Sequence, residues 1–329
     1  MHLTTTIEEV REYTQRIRAA RKSLGLVPTM GALHEGHLNL VRRARSDCDA
    51  VVASIFLNPT QFGPHEDLSR YPRDLQKDVV LLAAHGVDAV FAPSALEMYP
   101  DGFESFVDPG PVANLLEGAA RPGHFRGVAT VVLKLFNVVC PDVAYFGQKD
   151  FQQAVIIHRV VRDLNLDLRL VVCPIVRDRD GLAMSSRNGY LTTYDREAAL
   201  VLHRSLQRGG ELYESGETGA SRIGYEIRKV CASESRIELD YAVIVEPVHL
   251  QPVDRVATGS VALVAARVGP TRLIDNLIFG SAGMTDEDRL RTVFGGNTTE
   301  GNRAVAMTKS GQRDQNRPVT LAETTAVRT

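Results

Sequence analysis

Two histidines three positions apart form the most distinctive chemical pattern in this chain. His34-Glu35-Gly36-His37 lies between a short apolar run at 23–29 and an amphipathic run at 37–45. At positions i and i+3 the two imidazoles share one face of a first helical turn, where backbone N–H groups and the helix dipole favour anions. The pattern therefore predicts a phosphate-binding site, in which Gly36 lets a nucleotide ring approach the backbone closely.

Two other interpretations of the histidine pair stay open at this point. A pair of surface histidines at a helix N-terminus would show the same spacing, although the preceding Pro28-Thr29-Met30-Gly31 favours a site at a strand end. A zinc site is poorly supported, because the metalloprotease motif places its histidines at i and i+4. The cysteines lie apart beside apolar runs, which indicates reduced core residues and no metal site: Cys48, Cys140, Cys173 and Cys231.

Other polar segments carry side chains suited to phosphate or acid recognition. In Gly147-Gln148-Lys149-Asp150 the lysine can reach a phosphate as a point charge, and the aspartate either caps a helix or holds a ribose hydroxyl. Met184-Ser185-Ser186-Arg187 offers hydroxyls and a guanidinium for a loop that closes on phosphate. Gln61 and Gln153 can read the oxygens of a small polar acid. Ordinary turn and capping roles would also explain each segment taken alone.

Alternating strand-like and helix-like runs must position these residues. Apolar runs at 23–29, 49–59, 87–94, 143–150 and 166–174 alternate with helical patterns at 37–45, 74–86, 125–142 and 151–165. This alternation predicts a Rossmann-like, doubly wound α/β fold whose parallel sheet is covered on both faces. In such sheets ligands bind beyond the carboxyl ends of the strands, which is where the polar segments fall.

The pattern changes after Val176, and this predicts a division of the chain. A polar connector at 177–191 leads to two helical stretches and then to strand-like runs at 237–246, 261–269 and 271–279. We therefore expect a catalytic domain at 1–176 and a small C-terminal α+β lid domain at 177–280. The segment 281–329 is rich in Thr, Asn, Gly and Arg, and is expected to be a disordered tail.

Composition narrows the class of protein. The 329 residues are 44% hydrophobic and 24% charged, with a net charge of −2, which is typical of a globular enzyme and argues against nucleic acid or an anionic membrane surface as partner. Apolar runs are too short for the roughly 20 residues of a membrane span, and the start is too polar for a secretory signal, so we expect a cytoplasmic protein. P-loop, GxGxxG and GxSxG motifs are missing, which disfavours P-loop kinases, dinucleotide dehydrogenases and serine hydrolases.

The HxGH pattern followed by a serine-basic loop resembles the layout of the HIGH/KMSKS nucleotidyltransferase superfamily. Within it, the chain closely resembles the pantoate–β-alanine ligase (pantothenate synthetase) family. The segments that carry the resemblance occur in family order from Ser23 to Leu191: VPTMGALHEGHLNLVRRAR, SIFLNPTQFGPHEDLSRYPRDL, LEGAARPGHFRGVATVVLKLFN, AYFGQKDFQQ and DGLAMSSRNGYL.

The resemblance implies a reaction and a set of roles. ATP and pantoate would form pantoyl adenylate and pyrophosphate with the help of Mg²⁺, and β-alanine would then give pantothenate and AMP. His34 and His37 would be catalytic, with His37 at the family's proton-donor position, and Gln61 and Gln153 would bind pantoate. ATP would contact Met30, Gly31, Ala32, Leu33, His34, Glu35, Gly36, His37, Gly147, Gln148, Lys149, Asp150, Val176, Met184, Ser185, Ser186 and Arg187. The family also implies a homodimer.

Three points remain open in this interpretation. Asp78 is the one candidate ligand for Mg²⁺ after the YPRDL segment, where Lys77 replaces an acidic residue. A different HxGH nucleotidyltransferase would not need the glutamine pair, and pantoate-dependent ATP–pyrophosphate exchange would separate it from a ligase. A non-catalytic nucleotide-binding protein would not need to keep the HEGH, GQKD and MSSR segments together.

Overall fold

The computed structural model describes residues 1–64 and 66–295. The N-terminal strands are β1 His2–Thr4, β2 Leu24–Thr29, β3 Ala50–Ile55, β4 Ala89–Phe91, β5 Val143–Gly147 and β6 Arg169–Cys173. They form a six-stranded sheet in the order β1-β4-β3-β2-β5-β6, in which the pairings are parallel. The helices between them are α1 Ile7–Ala19, α2 Glu35–Asp47, α3 Leu75–Ala84, α4 Ala95–Met98, α5 Glu117–Ala120, α6 His124–Val139 and α7 Phe151–Asp163.

Both faces of this sheet are buried, as the continuous apolar runs predict. In β3, Val52 packs into one hydrophobic cluster while Val51 and Ala53 pack into another. Successive side chains of a strand point to opposite faces, so the two clusters are the cores on either side of the sheet. The predicted doubly wound sheet is therefore confirmed.

The strand order brings the predicted chemistry together. β2 pairs with β3 on one side and with β5 on the other, and β5 pairs with β6. In parallel strands the carboxyl ends meet at one edge, so the segments after β2, β5 and β6 are neighbours there. These segments carry His34 and His37, Lys149, and the connector.

The C-terminal part contains α8 Thr193–Glu214, α9 Ala220–Ala232, β7 Ile237–Val245, β8 Val261–Val268, β9 Thr271–Ile278 and α10 Asp286–Phe294. The three strands form an antiparallel sheet in the order β7-β8-β9, and α8 and α9 share a hydrophobic core with it. This arrangement agrees with the expected smaller α+β part. The described residues 1–64 and 66–295 pack as one compact unit, and the boundary at residue 176 stays a prediction.

The expectation of a disordered tail from residue 281 is wrong for its first part. Thr285 caps α10 through a reciprocal capping box with Asp288, and Leu290 is buried in the core. Phe294 packs on the rings of Phe151 and His158, at centroid distances of 5.7 and 5.8 Å. The segment is too polar for its sequence pattern to predict a helix, and α10 is instead stabilised by its cap and a few tertiary contacts. Residues 296–329 of the predicted tail lie outside the described residues.

Two N-terminal elements, β1 and α1, are not among those predicted from the sequence. β1 has only three residues and pairs with β4 at the edge of the sheet. Among residues 1–64 and 66–295, no helix is long and apolar enough to cross a membrane.

Candidate active site

The loop between β2 and α2 is held by a buried carboxylate. Gly31 and Ala32 both adopt left-handed backbone conformations, with φ of 83° and 51°. The two oxygens of Asp78 accept hydrogen bonds from the amides of Ala32 and Leu33, at 2.8 and 2.9 Å, and Asp78 is 2% exposed. Asp78 was the candidate Mg²⁺ ligand, but its oxygens are occupied by the backbone of the loop. The structure therefore gives it a structural role in shaping the loop that leads to His34.

The two histidines are held by backbone amides in one tautomer. His34 is the N-cap of α2, and its Nδ1 accepts a hydrogen bond from the Gly36 amide at 3.2 Å. The Nδ1 of His37 accepts from the His34 amide at 3.3 Å, and the ring centroids are 4.1 Å apart. Because Nδ1 is an acceptor in both rings, the proton of each neutral imidazole is on Nε2. Each ring therefore offers an N–H donor on the side away from the helix backbone.

Burial keeps both imidazoles neutral. It lowers the pKa of His34 to about 4, and the nearby Lys149 ammonium adds to this. Burial, with His34 as neighbour, lowers the pKa of His37 to about 3. At neutral pH these side chains are hydrogen-bond donors without charge.

Gly36 is required by close packing. A Cβ at this position would lie 2.9 Å from the His34 ring and 3.8 Å from the Cβ of Met184. The first distance is shorter than real side chains allow, so the glycine lets His34 fold back over its own helix. The approach of a nucleotide ring is the reason predicted from the sequence for a glycine at position 36, and the close contact with the His34 ring is a second, intramolecular reason.

The turn after β5 supplies a cation. Lys149 lies in a short 3-10 turn, and its Nζ is 3.5 Å from Oδ1 of Asp150. Gln148 is buried and turns away, because its Nε2 donates to Oδ1 of Asn276 on β9 at 3.0 Å. Of the four residues of this turn that were predicted to contact ATP, Gln148 is the one that does not line the cavity described next.

The connector after β6 is docked against this site. Ser186 Oγ donates to the carbonyl of Ala32 at 3.1 Å, and the Met184 amide donates to the carbonyl of Val176 at 3.0 Å. Arg187 donates to both oxygens of Asp67, at 3.0 and 2.8 Å. Burial raises the pKa of Asp67, but the guanidinium outweighs it and holds this pKa below its usual value. Arg187 therefore lies at the site as the cationic partner of Asp67.

Two adjoining cavities lie at this edge of the sheet. The smaller, of about 160 Å³, is lined by most of the predicted ATP-binding residues: Met30, His34, Gly36, His37, Gly147, Lys149, Asp150, Val176, Met184, Ser185, Ser186 and Arg187. The larger, of about 330 Å³, shares Lys149, Asp150, Gln153, Ser185 and Arg187 with it. The two cavities therefore adjoin along these shared residues.

The remaining predicted ATP-binding residues do not line either cavity. Gly31, Ala32 and Leu33 contribute the backbone of the loop. Glu35 is exposed and pairs with Arg42 on α2. Their assignment to ATP binding stays a prediction.

Comparison with known proteins identifies the family. The family model described as pantoate-beta-alanine ligase matches residues 2–278. The chain belongs to the pantoate–β-alanine ligase family. A pantothenate synthetase of Roseiflexus castenholzii is 55% identical over 278 residues, covering 84% of this chain and 99% of that protein.

Solved structures of the family agree with the fold. Pantothenate synthetase from Thermus thermophilus superposes with a TM-score of 0.81 at 46% identity, covering 85% of this chain and 100% of that one. Pantoate-beta-alanine ligase from Francisella tularensis, solved in complex with beta-gamma ATP and beta-alanine, gives a TM-score of 0.70 at 35% identity, covering 84% of this chain and 97% of that one.

The two glutamines predicted to bind pantoate in this family member lie in different surroundings. Gln153 lines both cavities. Gln61 is buried beside them: its Oε1 accepts from Asn58 at 3.1 Å, and its Nε2 contacts Sδ of Met30 at 2.8 Å. Gln153 is therefore placed to meet a ligand directly, whereas Gln61 is tied to the loop that carries the histidines.

A cluster of polar side chains on the wall of the larger cavity is not predicted by the sequence pattern. His124 Nδ1 donates to the carbonyl of Gln61 at 2.8 Å, and its Nε2 is 3.0 Å from Arg121, which also pairs with Glu66. Burial, with Arg121 beside it, lowers the pKa of His124 to about 4. Nothing in the sequence spacing indicates that Arg121 pairs with Glu66, because the two residues are 55 positions apart.

Proposed function

We propose that the two adjoining cavities carry out the ATP-dependent condensation of pantoate with β-alanine, through a pantoyl-adenylate intermediate. Family membership supports the overall reaction. The first step is assigned to this site because His34, His37 and Lys149 line one cavity. The products are pantothenate, AMP and pyrophosphate.

In the first step a carboxylate oxygen of pantoate attacks the α-phosphorus of ATP. A new P–O bond forms while the bond to the leaving pyrophosphate breaks, and negative charge develops on the phosphate oxygens. Lys149 and the Nε2–H groups of His34 and His37 supply donors and positive charge for these oxygens. Preorganised donors of this kind usually contribute the largest part of the rate acceleration. The step needs no covalent bond to the protein.

In the second step the amine of β-alanine attacks the acyl carbon of pantoyl adenylate. The C–N bond forms, AMP leaves with the electrons of the acyl–phosphate bond, and the nitrogen releases a proton. Holding both reactants in one closed space converts this into an effectively intramolecular reaction. The larger cavity, with Gln153 and Lys149 on its shared wall, offers the space next to the proposed adenylate.

We assign His37 as a neutral hydrogen-bond donor. The family resemblance implies that it occupies the proton-donor position. With a pKa of about 3, its ring holds a single proton at neutral pH, and that proton is the one on Nε2. Sharing this proton in a hydrogen bond stabilises charge, whereas losing it would leave an imidazolate.

Mg²⁺ is proposed to enter with ATP. Within the described chain, no group of three or more His, Cys, Asp and Glu side chains is arranged to hold a metal ion. Mg²⁺ in nucleotide sites keeps several waters and takes its other ligands from one or two carboxylates and the phosphates. Among the described lining of the smaller cavity, Asp150 is the carboxylate that fits this pattern, and the bound ion would neutralise phosphate charge.

We further propose a cytoplasmic homodimer, on the support of the family resemblance alone. Sedimentation equilibrium tests the assembly, since a dimer has twice the 36.1 kDa mass of the chain.

A Gln153→Ala variant tests the pocket assignment. Losing one hydrogen bond to a charged ligand costs about 1.5–3 kcal/mol, so we expect the KM for pantoate to rise about tenfold or more. The KM for ATP should change much less. Steady-state kinetics with each substrate varied in turn gives both values.

Gln251→Ala is the matched control, because Gln251 is exposed and lies outside both cavities. It should leave both KM values unchanged. Equal increases in the two KM values for Gln153→Ala would argue against a pantoate contact.

A further inference from the structure

A buried asparagine of the C-terminal sheet holds the turn that carries Lys149. Asn276 on β9 is 2% exposed, and its Nδ2 donates to the carbonyls of Gln148 and Lys149, each at 3.0 Å. Its Oδ1 accepts from Nε2 of Gln148, also at 3.0 Å. Both the donor and the acceptor of this side-chain amide are therefore hydrogen-bonded to one short turn, 128 residues away in sequence.

The neighbouring residue, Asp275, holds both the backbone of Asn276 and the chain segment that forms a second wall of the cavity. Asp275 is 3% exposed and accepts a bidentate pair of hydrogen bonds from Arg177, at 2.6 and 2.9 Å. The same carboxylate accepts from the backbone amide of Asn276 at 2.8 Å. Arg177 directly follows Val176, which lines the smaller cavity. Two consecutive residues of one strand thus hold two segments of the site.

We propose that Asn276 is a positioning residue for Lys149 in the adenylation step. A lysine side chain is long and flexible, so the location of its ammonium depends on where its backbone is held. The two carbonyl contacts of Asn276 fix that backbone at its attachment point. A misplacement of a catalytic group by about 1 Å can lower the rate about 10²-fold, so the loss of this anchor is expected to slow adenylation.

This inference rests on the proposed role of Lys149, and a double-mutant cycle separates the two. The measured quantity is the rate of pantoate-dependent ATP–pyrophosphate exchange in wild type, Asn276→Ala, Lys149→Ala and the double variant. Asn276→Ala alone should lower this rate about 10- to 10²-fold, the scale of a misplaced catalytic group. Its KM for pantoate should stay near the wild-type value.

In the Lys149→Ala background, Asn276→Ala should lower the rate by less than about threefold, because the group it positions is gone. Losses that multiply would overturn the inference while leaving the role of Lys149 intact. Unchanged exchange in Lys149→Ala alone would instead contradict the proposed role of Lys149 and remove the premise.

Tyr241→Phe is the control variant. It tests whether removing any polar contact between β7–β9 and the N-terminal part lowers the rate, independently of Lys149. Tyr241 on β7 donates to Glu117 at 2.6 Å, which is another polar contact, partly buried, of this sheet with the N-terminal part. Its effect should combine multiplicatively with Lys149→Ala. If Asn276→Ala does not fold, Asn276→Asp keeps the volume while replacing the donor by an acceptor facing two carbonyls, and the same cycle is scored with it.

Discussion

The tautomers of three histidines decide what the site offers to a ligand. His34 and His37 accept backbone N–H groups at Nδ1 and so donate from Nε2. His124 has the opposite tautomer, because its Nδ1 donates to the carbonyl of Gln61 while Arg121 approaches its Nε2. Burial is the largest cause of the lowered pKa in each ring. Neutral donors can line a phosphate site without adding to the charge of the cavity.

Histidines with a lowered pKa make the fold less stable in acid. At pH values between the folded pKa of about 4 and the unfolded value near 6.5, the unfolded chain binds more protons than the folded chain. The free energy of unfolding therefore rises with pH across this window. Above the unfolded pKa the stabilisation is fully present, and it is lost as the pH falls towards the folded pKa.

We expect His124→Asn to show a shallower dependence of stability on pH than wild type between about pH 4.5 and 6.5, the window set by the folded and unfolded pKa of this ring. Urea unfolding at several pH values measures this, and the difference between the two proteins is the readout, because carboxylates titrate in both. Identical slopes would show that His124 is not held neutral by the fold.

At the level of residues, spacing predicted the histidines and Lys149 but not the pairings around them. HxGH and GQKD place donors at predicted strand ends, and these residues do meet in one cavity. Arg187 was expected to contact phosphate, and its pairing with Asp67 depends on a contact 120 residues apart in sequence. Asp78 likewise gave no sign that it would hold backbone amides.

Secondary-structure elements deliver the chemistry to one edge of the sheet. The segments after β2, β5 and β6 converge because β2, β5 and β6 are consecutive in the sheet. Apolar runs and alternation predicted these strands, since parallel strands buried on both faces read as continuous hydrophobic segments. The order of the strands and the short β1 depend on tertiary pairing, which one sequence does not reveal.

Helix α10 leads to a prediction at the scale of elements. Glu287 pairs with Arg43 on α2 at 3.2 Å, Leu290 is buried, and Phe294 packs on α7. A chain ending at Gly280 loses these contacts, and we expect its free energy of unfolding to fall by about 2 kcal/mol or more, as for a deleted large core side chain. Chemical denaturation measures the change.

A chain ending at Gly295 is the control, because it keeps every contact described for α10. Equal stability of the two truncated chains would show that α10 contributes nothing to the fold.

Across the whole molecule, the net charge of −2 conceals ion pairs around the site. Arg121, Arg187 and Arg272 line the larger cavity together with their partners Glu66, Asp67 and Glu117. The near-neutral composition is therefore compatible with a cavity whose arginines are each balanced by a carboxylate partner. The C-terminal sheet contributes to it through Arg272 and through the contacts of Asn276 with the Lys149 turn. The N-terminal and C-terminal parts, which the sequence pattern divides, both contribute residues to the site.

Pantoate-dependent ATP–pyrophosphate exchange tests the central claim most directly, because it reports formation of pantoyl adenylate before β-alanine is needed. With labelled pyrophosphate, ATP and Mg²⁺, the wild-type chain should incorporate label into ATP only when pantoate is present. His34→Asn should lower the rate by about 10²-fold, the usual loss on removing one preorganised donor. Exchange without pantoate, exchange that requires β-alanine, or an unaffected His34→Asn variant would contradict the account.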